Sequence, residues 1–335
     1  MRLATYNVEW FDALFDDAGT LLADDRWSAR HDITRAQQIE ALGIVFTAVD
    51  ADAWMIVEAP DSNTRRNTTR ALNAFAEAFD LRTRAVLTGF LNGTQQEIAL
   101  LYDPAVLTVR HAPEGTPGGE VPRFDGVFRI DLDIDETEDR VTFSKPPLEV
   151  AAVTARGHEL RLIGAHLKSK APHGAETRDQ IMRPGIANRR KQLAQAIWLR
   201  RRVRTHLEAG DSVIVMGDLN DGPGLDEYEH LFGRSSVEIV LGDGGPRLHD
   251  PNAVATLGSK LGPHPTSARF YLKGEKRFLQ AMLDYIMVSP DLAAMGPRWR
   301  IWHPFDDPVC WKTPELREAL LVASDHFPVS LDIDL

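Results

Sequence analysis

Polar residues suited to proton transfer or metal binding stand at the ends of several apolar runs in this 335-residue sequence. The run Val213–Met216 leads through Gly217 to Asp218 and Asn220, whose side chains fall on the same side of an extended chain. A carboxylate there can take a proton from water. A neighbouring amide can hold an anionic oxygen without adding negative charge, whereas an Asx turn that closes the strand is the plain alternative.

A second group lies near the C-terminal end of the sequence. Asp325 and His326 are adjacent, so in an extended chain they point to opposite sides and serve different partners. The carboxylate suits a metal ion, and the imidazole suits a phosphate or another carboxylate. Asp284 stands near the start of the segment Leu283–Val288, and such a residue can orient a histidine and stabilise its cationic form, or simply cap the preceding turn.

Further polar strand ends are spread over both halves of the chain; they are Asn7, Glu58 and His166. A single polar residue at a strand end is usually a cap or a turn former. Several such ends, drawn from distant parts of the sequence, are hard to explain in that way. The pattern therefore predicts that they converge on one site.

The elements that must position these residues alternate between strands and helices. Apolar runs predict strands at Leu3–Val8, Trp54–Val57, Ile98–Leu101, Val106–Val109, Leu148–Val153, Leu160–Ala165, Val213–Met216, Phe270–Leu272, Ala281–Val288 and Val329–Ile333. Helical spacing predicts helices at Thr34–Val49, Asn67–Phe79 and Arg189–Leu207, and long loops are expected at His111–Glu120, Ala171–Gly185 and Gly222–Pro265. Three neighbouring pairs of strands are expected to be joined as pairs: Ile98–Leu101 with Val106–Val109 across a Tyr-Asp-Pro turn, Leu148–Val153 with Leu160–Ala165, and Phe270–Leu272 with Ala281–Val288. The order predicts two packed sheets with helices outside, in a single domain of residues 1–335.

The composition limits the choice of substrate and compartment. The formal charge is −11, whereas proteins that bind nucleic acid through phosphate neutralisation are usually basic, so a local basic surface or a smaller substrate is required. Cys310 is the only cysteine, which rules out an internal disulfide and suits a small buried apolar residue. The absence of a signal-like segment or a run of transmembrane length predicts a cytoplasmic protein without membrane insertion.

Seven segments, taken in order, resemble the motifs of the endonuclease/exonuclease/phosphatase superfamily: TYNVEWF, MIVEAPD, QEIALLYDP, GAHLKSK, VMGDLND, LDYIMVS and SDHFPV. They run from Thr5 to Val329, and seven motifs in the right order are far more specific than any one of them. The resemblance implies an α/β fold, a four-layer sandwich of two packed mixed β-sheets flanked by helices. It also implies a metal-dependent phosphoesterase.

The resemblance implies a role for each matching residue. The metal ligands are Asn7, Glu58 as the principal one, and Asp325; the catalytic residues are His166, Asp218, Asn220, Asp284 and His326. In that scheme Asp218 positions or deprotonates the attacking water, Asn220 holds the phosphate, and Asp284 orients His326. His166 is a second histidine, and Glu97 is the carboxylate that supports it.

The predicted cofactor is Mg²⁺, with Mn²⁺ as its substitute, because oxygen ligands without thiolates suit hard cations better than zinc. Val57 stands where many relatives have Gln, which leaves the ligand Glu58 in place but bears on substrate preference. Lys145, Lys168 and Lys170 are predicted to form a substrate-binding basic rim, against the plain alternative of solvated surface charges.

The leading hypothesis is a phosphodiesterase or nuclease that cleaves phosphodiester bonds by in-line attack of an activated water. The alternatives are a phosphomonoesterase, a lipid-headgroup phosphodiesterase of the inositol phosphatase or sphingomyelinase type, and a non-catalytic binding module on the same fold. The seven cations between Arg189 and Arg204 form either a solvated helix face or a track for a polynucleotide backbone. The loop Ala171–Gly185 is the expected substrate-specific wall. The partner is thus a phosphate ester, nucleic acid included, and the sequence leaves the oligomeric state open.

Overall fold

Two mixed β-sheets lie face to face in the computed structural model, which describes residues 1–94, 96–116, 118–132, 138–170, 178–222, 233–258, 264–272 and 276–335. The first sheet has the order β14-β15-β1-β2-β4-β3 and consists of β1 (Arg2–Asn7), β2 (Ala53–Pro60), β3 (Ala85–Thr88), β4 (Gln96–Tyr102), β14 (Arg298–Ile301) and β15 (Val329–Asp332). The second has the order β13-β10-β9-β8-β5 and consists of β5 (Leu107–His111), β8 (Leu148–Thr154), β9 (Glu159–His166), β10 (Val213–Asp218) and β13 (Asp284–Val288).

Two hairpins and a set of helices complete the described chain. The hairpins are β6 (Phe128–Ile130) with β7 (Asp139–Val141), and β11 (Ala268–Leu272) with β12 (Arg277–Ala281). The helices are α1 (Arg35–Val49), α2 (Thr68–Ala78), α3 (Arg178–Ala209), α4 (Ser236–Leu241), α5 (Pro251–Gly258), α6 (Pro290–Ala294), α7 (Pro308–Lys312) and α8 (Pro314–Ala323), with a 3-10 turn at Phe11–Leu14. None of the helices in the described segments is long and apolar enough to cross a membrane.

Alternation along the strands divides the apolar side chains into three layers. Between the sheets, Met55 of β2 packs in one cluster with Leu162 of β9 and Met216 of β10. The outer face of the first sheet packs on α1, α2 and α8, and the outer face of the second packs on α3 and α4. Helix, sheet, sheet and helix thus form the predicted four-layer sandwich, in which central strands such as β2 and β10 are buried on both faces.

The structure corrects several predicted connections. β4 and β5 do not form a hairpin, because β4 pairs with β2 and β3 while β5 pairs with β8 in the other sheet. The Tyr-Asp-Pro turn therefore carries the chain from one sheet to the other. By contrast, β8 and β9 pair antiparallel as predicted.

The predicted strand Ala281–Val288 is two strands. β12 ends at Ala281 and pairs with β11, whereas β13 begins at Asp284 and pairs with β10. The predicted loops are also shorter. Helix α3 already begins at Arg178, and α4 and α5 lie within Gly222–Pro265. Residues 171–177 of the predicted substrate wall lie outside the described residues.

Candidate active site

The ends of β1 and β10 meet across the interface between the two sheets. In β10, Ile214 and Met216 face the other sheet, so Asp218 continues the same face. In β1, Leu3 faces the interface and the alternation brings Asn7 to it. The Asn7 Nδ2 donates a hydrogen bond to Asp218 Oδ2 at 3.0 Å, which joins the two sheets at the base of a cleft.

Asp218 is almost completely buried and held by three donors. Besides Asn7, the backbone N–H of Asn220 donates to Asp218 Oδ1 at 2.7 Å, and the Asn220 Nδ2 donates to Oδ2 at 3.1 Å. Asn220 has a left-handed backbone with φ of 50°, and its amide also donates to the Leu167 carbonyl at 3.1 Å. Burial raises the pKa of Asp218 to about 7, against the opposing charge of His326.

His326 and Asp284 form a buried ion pair, with 2.7 Å between Nδ1 and Oδ2. The Ser267 hydroxyl donates to the same Oδ2 at 2.8 Å and fixes the carboxylate. Burial opposes charge on the imidazole, yet the Asp284, Asp218 and Asp325 carboxylates outweigh it and raise the pKa of His326 well above its ordinary value. The His326 Nε2 lies 4.0 Å from Asp218 Oδ2, so a cationic imidazole faces the buried carboxylate.

His166 flanks Asp218 on another side, but its pKa is shifted in the opposite direction to that of His326. Its Nε2 lies 3.7 Å from Asp218 Oδ2, and its Nδ1 lies 3.3 Å from the Lys145 Nζ. Burial and then the Lys145 charge lower the pKa of His166 well below its ordinary value, so the ring is neutral. These contacts assign Nδ1 as the acceptor and Nε2 as the protonated nitrogen of His166.

Glu58 enters the cleft through a β-bulge. Strands β2 and β4 shift register between Val57 and Ala59, and Glu58 is the extra residue, with φ of 62°. Without the bulge, alternation would turn Glu58 to the outer face together with Ile56. Its Oε2 accepts from the Trp10 backbone N–H at 3.3 Å, and burial raises its pKa.

Gln96 is a site residue that the sequence analysis did not identify. Its Nε2 donates to Glu58 Oε2 at 2.5 Å, and its Oε1 accepts from the Lys145 ammonium. Gln96 therefore places an amide beside Glu58, although Val57 precedes this glutamate in the sequence. The signal was present: Gln96 lies two residues before Ile98, whose side chain faces the interface between the sheets.

Glu9 is a second residue that was missed. It pairs with Arg30, and burial followed by the Asp325 charge raises its pKa to about 7. The Ser324 hydroxyl links the segments that carry these groups, since it donates to the Asn7 carbonyl at 2.8 Å and accepts from the Glu9 backbone N–H at 3.3 Å. The position of Glu9, two residues after Asn7, was the available signal.

These groups line one cleft of about 600 Å³. Its lining includes Asn7, Glu9, Trp10, Glu58, Gln96, Lys145, His166, Lys168, Asp218, Asn220, Phe270, Asp325 and His326. Asp284 lies behind His326 and has no exposed surface. The structure thus brings together the polar strand ends that the sequence placed in both halves of the chain.

The oxygen donors of the cleft fit a hard cation. Among the described residues, the buried Asn7 Oδ1 has no hydrogen-bond partner, which is the condition expected of an amide oxygen kept for a ligand. Glu58 and Asp325 line the same cleft. Ligand atoms of Asp218, Asp284 and His326 also lie within 4.8 Å of one another. That second group fits less well, because a cationic His326 already paired with Asp284 has no lone pair for a metal.

Two predicted residues lie away from the cleft. Glu97 lies on the opposite face of β4 from Gln96, and its carboxylate accepts from the Asn92 Nδ2 at 2.7 Å instead of supporting His166. The Lys170 Nζ donates to the buried Asp221 at 2.7 Å, so this cation is used inside the protein rather than on a basic rim. Lys145 and Lys168 do line the cleft.

Comparison with known proteins identifies the family of this chain. The model of the "Endonuclease/Exonuclease/phosphatase family" matches residues 4–326. No curated protein matches the chain by sequence.

Solved structures of similar fold include truncated TDP2 from Caenorhabditis elegans, with a TM-score of 0.51 and 14% identity over 98% of this chain and 96% of that chain. A longer TDP2 chain from C. elegans has a TM-score of 0.52 and 14% identity over 98% and 74%. The 3' phosphatase NExo from Neisseria, bound to a product DNA hairpin, has a TM-score of 0.49 and 16% identity over 100% of both chains. At this identity the similarity extends to the fold alone, but the family model spans nearly the whole sequence, and the chain belongs to the Endonuclease/Exonuclease/phosphatase family of phosphoesterases.

Proposed function

We propose that the protein is a Mg²⁺-dependent phosphodiesterase that hydrolyses its substrate by in-line attack of a water molecule. The observation that carries this proposal is the position of Asp218, between a cationic His326 and a neutral His166. A carboxylate with a donor on each side suits a reaction in which a water loses a proton while negative charge grows on a phosphoryl group. Membership of the family supports the reaction class.

Each residue has a defined task in this proposal. Asp218 accepts the proton of the attacking water. His166 through its Nε2–H and the His326 imidazolium donate hydrogen bonds to the phosphoryl oxygens. The Asn220 amide, whose two N–H groups donate to Asp218 and to the Leu167 carbonyl, holds the Asp218 carboxylate in place. Lys145, which lines the cleft and whose Nζ lies 3.9 Å from Glu58 Oε1, supplies a further positive charge. Preorganised donors of this kind typically contribute about 3–4 kcal/mol each to the transition state.

The proposed ligands of the divalent ion are Asn7, Glu58 and Asp325, and Glu9 adds a fourth oxygen donor. When bound, Mg²⁺ would neutralise phosphoryl charge and polarise the phosphorus–oxygen bond. Asn7 contributes to both parts of the site, because its Nδ2 holds Asp218 while its Oδ1 stays without a partner. A phosphodiester, nucleic acid included, is the proposed substrate; the phosphomonoesterase and lipid-headgroup alternatives share this core.

The test compares two amide substitutions with a matched control. Glu58→Gln removes the proposed ligand charge and Asp218→Asn removes the base, so each variant should lower the turnover of bis-p-nitrophenyl phosphate by about 10²–10⁴-fold. Asp334→Asn makes the same chemical change at an exposed surface position and should leave turnover unaltered. Thermal unfolding of all three checks the fold. Wild-type turnover by a folded Asp218→Asn variant would exclude the proposed base.

A further inference from the structure

Four exposed aromatic side chains form a continuous series on one surface of the molecule. Tyr271 and Phe278 are each 50% exposed, Phe305 is 38% exposed and Trp311 is 52% exposed. The ring centroids of Tyr271 and Phe278 lie 5.2 Å apart, and those of Phe305 and Trp311 lie 6.3 Å apart. Large aromatic side chains are normally withdrawn from water, so their grouping on one surface calls for a partner.

Two arginines interleave with these rings. The Arg269 Cζ lies 3.6 Å from the ring centre of Phe278 and 5.5 Å from that of Phe305, so it connects the two aromatic pairs. The Arg317 Cζ lies 5.0 Å from the ring centre of Trp311. We call Tyr271, Phe278, Arg269, Phe305, Trp311 and Arg317 the aromatic ladder.

The Arg269 guanidinium stacks on aromatic rings but has no carboxylate partner among the described residues. Its side chain has no ion pair or hydrogen bond with the described residues, and its Nε is buried without a partner among them. A guanidinium held between two rings keeps its planar donors oriented for an anion. On a protein with a formal charge of −11, such an unpaired cation is a specific feature rather than part of a general basic surface.

The ladder is continuous with the catalytic cleft. A second cavity, of about 880 Å³, is lined by Arg269, Tyr271 and Phe278, and it shares Glu9, Phe270 and Asp325 with the cleft. The backbone also connects them, because the Arg269 N–H donates to the Asp325 carbonyl at 2.7 Å. A substrate extending from the cleft would therefore meet Arg269 and its aromatic neighbours next.

We propose that the aromatic ladder binds a single strand of nucleic acid that continues from the ester in the catalytic cleft. Stacking platforms next to phosphate-binding cations are the features that hold unpaired strands, since every base has an aromatic face. A duplex hides those faces inside its base pairs. The inference rests on the proposed function, to which it adds the substrate class and the direction in which the strand leaves the cleft.

The test measures the binding of a fluorescein-labelled 12-nucleotide oligo(dT) by fluorescence anisotropy in EDTA, where strand binding is separated from hydrolysis. Trp311→Ala and Phe278→Ala each remove one exposed ring and should raise the Kd about tenfold, the usual effect of losing one stacking platform. Arg269→Gln should weaken binding as well. Met295→Ala removes an exposed apolar side chain at the end of α6, outside the ladder, and is the control. Duplex of the same length should bind more weakly than the single strand.

The outcomes distinguish the proposed strand binding by the ladder from the proposed phosphodiester hydrolysis in the cleft. Unchanged strand affinity in the ring variants, or equal affinity for duplex and single strand, would overturn the ladder assignment, even if bis-p-nitrophenyl phosphate is hydrolysed as proposed. Strand binding that the ring variants weaken, together with no phosphodiester hydrolysis in Mg²⁺, would support the ladder and refute the proposed function. A wild-type protein that forms a dimer abolished by Trp311→Ala, without strand binding, would assign the ladder to self-association and also overturn the proposal.

Discussion

Asp218 lies between two histidines that differ in charge because their neighbours differ. Asp284 accepts from one nitrogen of His326 and favours its cation, whereas the Lys145 ammonium faces one nitrogen of His166 and favours the neutral ring. The sequence predicted both histidines and the Asp284 pairing with His326. It did not predict the charge of His166, because this depends on burial of the ring and then on the Lys145 charge, and both arise only in the fold.

Asp284→Asn tests the role of Asp284 as a positioning residue. Asp284 has no exposed surface, so the variant should lower kcat by about 10²–10⁴-fold and leave KM nearly unchanged. Because Asp284 raises the pKa of His326, its loss lowers that pKa, and the alkaline limb of the pH–rate profile should move to lower pH. Steady-state kinetics between pH 5 and 10 measure both effects; a profile that only loses height would mean that Asp284 is merely structural.

Gln96→Leu tests the amide beside Glu58. The substitution removes the donor to Glu58 Oε2 and the acceptor for Lys145, so the Mg²⁺ concentration that gives half-maximal activity should rise about 10–100-fold. Glu97→Gln is the matched control at the next position, because its side chain faces away from the cleft. A Mg²⁺ titration of bis-p-nitrophenyl phosphate hydrolysis compares the half-maximal Mg²⁺ concentrations of the two variants. An effect of Glu97→Gln as large as that of Gln96→Leu would restore the predicted role of Glu97.

At the scale of elements, the sequence predicts the strands better than their partners. Apolar runs identify β2 and β10, because strands that are buried on both faces need nearly uninterrupted apolar residues, and mostly apolar segments identify β8 and β9. Pairing depends on contacts distant in sequence, so the turn between β4 and β5 was interpreted as a hairpin. The bulge at Glu58 also escapes prediction, because its residue types resemble those of a regular strand end.

Gly217→Ala tests the close approach of β10 to β9 just before Asp218. Gly217 has φ of 136°, and an added Cβ would lie 2.0 Å from the Ala165 carbonyl oxygen. Backbone strain and the clash together should lower the free energy of unfolding by about 3 kcal/mol or more. Gly210→Ala is the control, since φ is 81° but the added Cβ meets nothing within 4 Å, and it should cost only about 1–2 kcal/mol. Urea unfolding measures both; equal losses would mean that φ alone requires Gly217.

At the scale of the whole molecule, several cations of α3 are used in contacts within the protein. Arg189 binds the buried Asp221, Arg202 pairs with the buried Glu149, and Arg200 donates to the Pro246 carbonyl. From the sequence, a polynucleotide track is one interpretation of this helix, because linear charge density does not reveal which charges are paired. The shared inter-sheet cluster, with side chains from both halves of the chain, supports the proposal of a single domain.

The positions of the cations predict how the affinity for a single strand depends on salt concentration. Single-strand binding releases about 0.7 counterions per phosphate neutralised. If Lys145, Lys168, Arg269 and Arg317 make the contacts, the slope of log K against log salt should be no steeper than about −2.8. Arg269→Gln should make that slope shallower by about 0.7, since one phosphate contact is lost.

Arg204→Gln is the control on α3, where an exposed arginine pairs with Glu208, and should leave the slope unaltered. Anisotropy titrations of the oligo(dT) strand over a range of NaCl concentrations measure these slopes. A slope near −5 would indicate that the strand binds the basic helix α3 and not the ladder, because only a track of about seven cations produces so steep a dependence. A change of slope caused by Arg204→Gln would indicate the same.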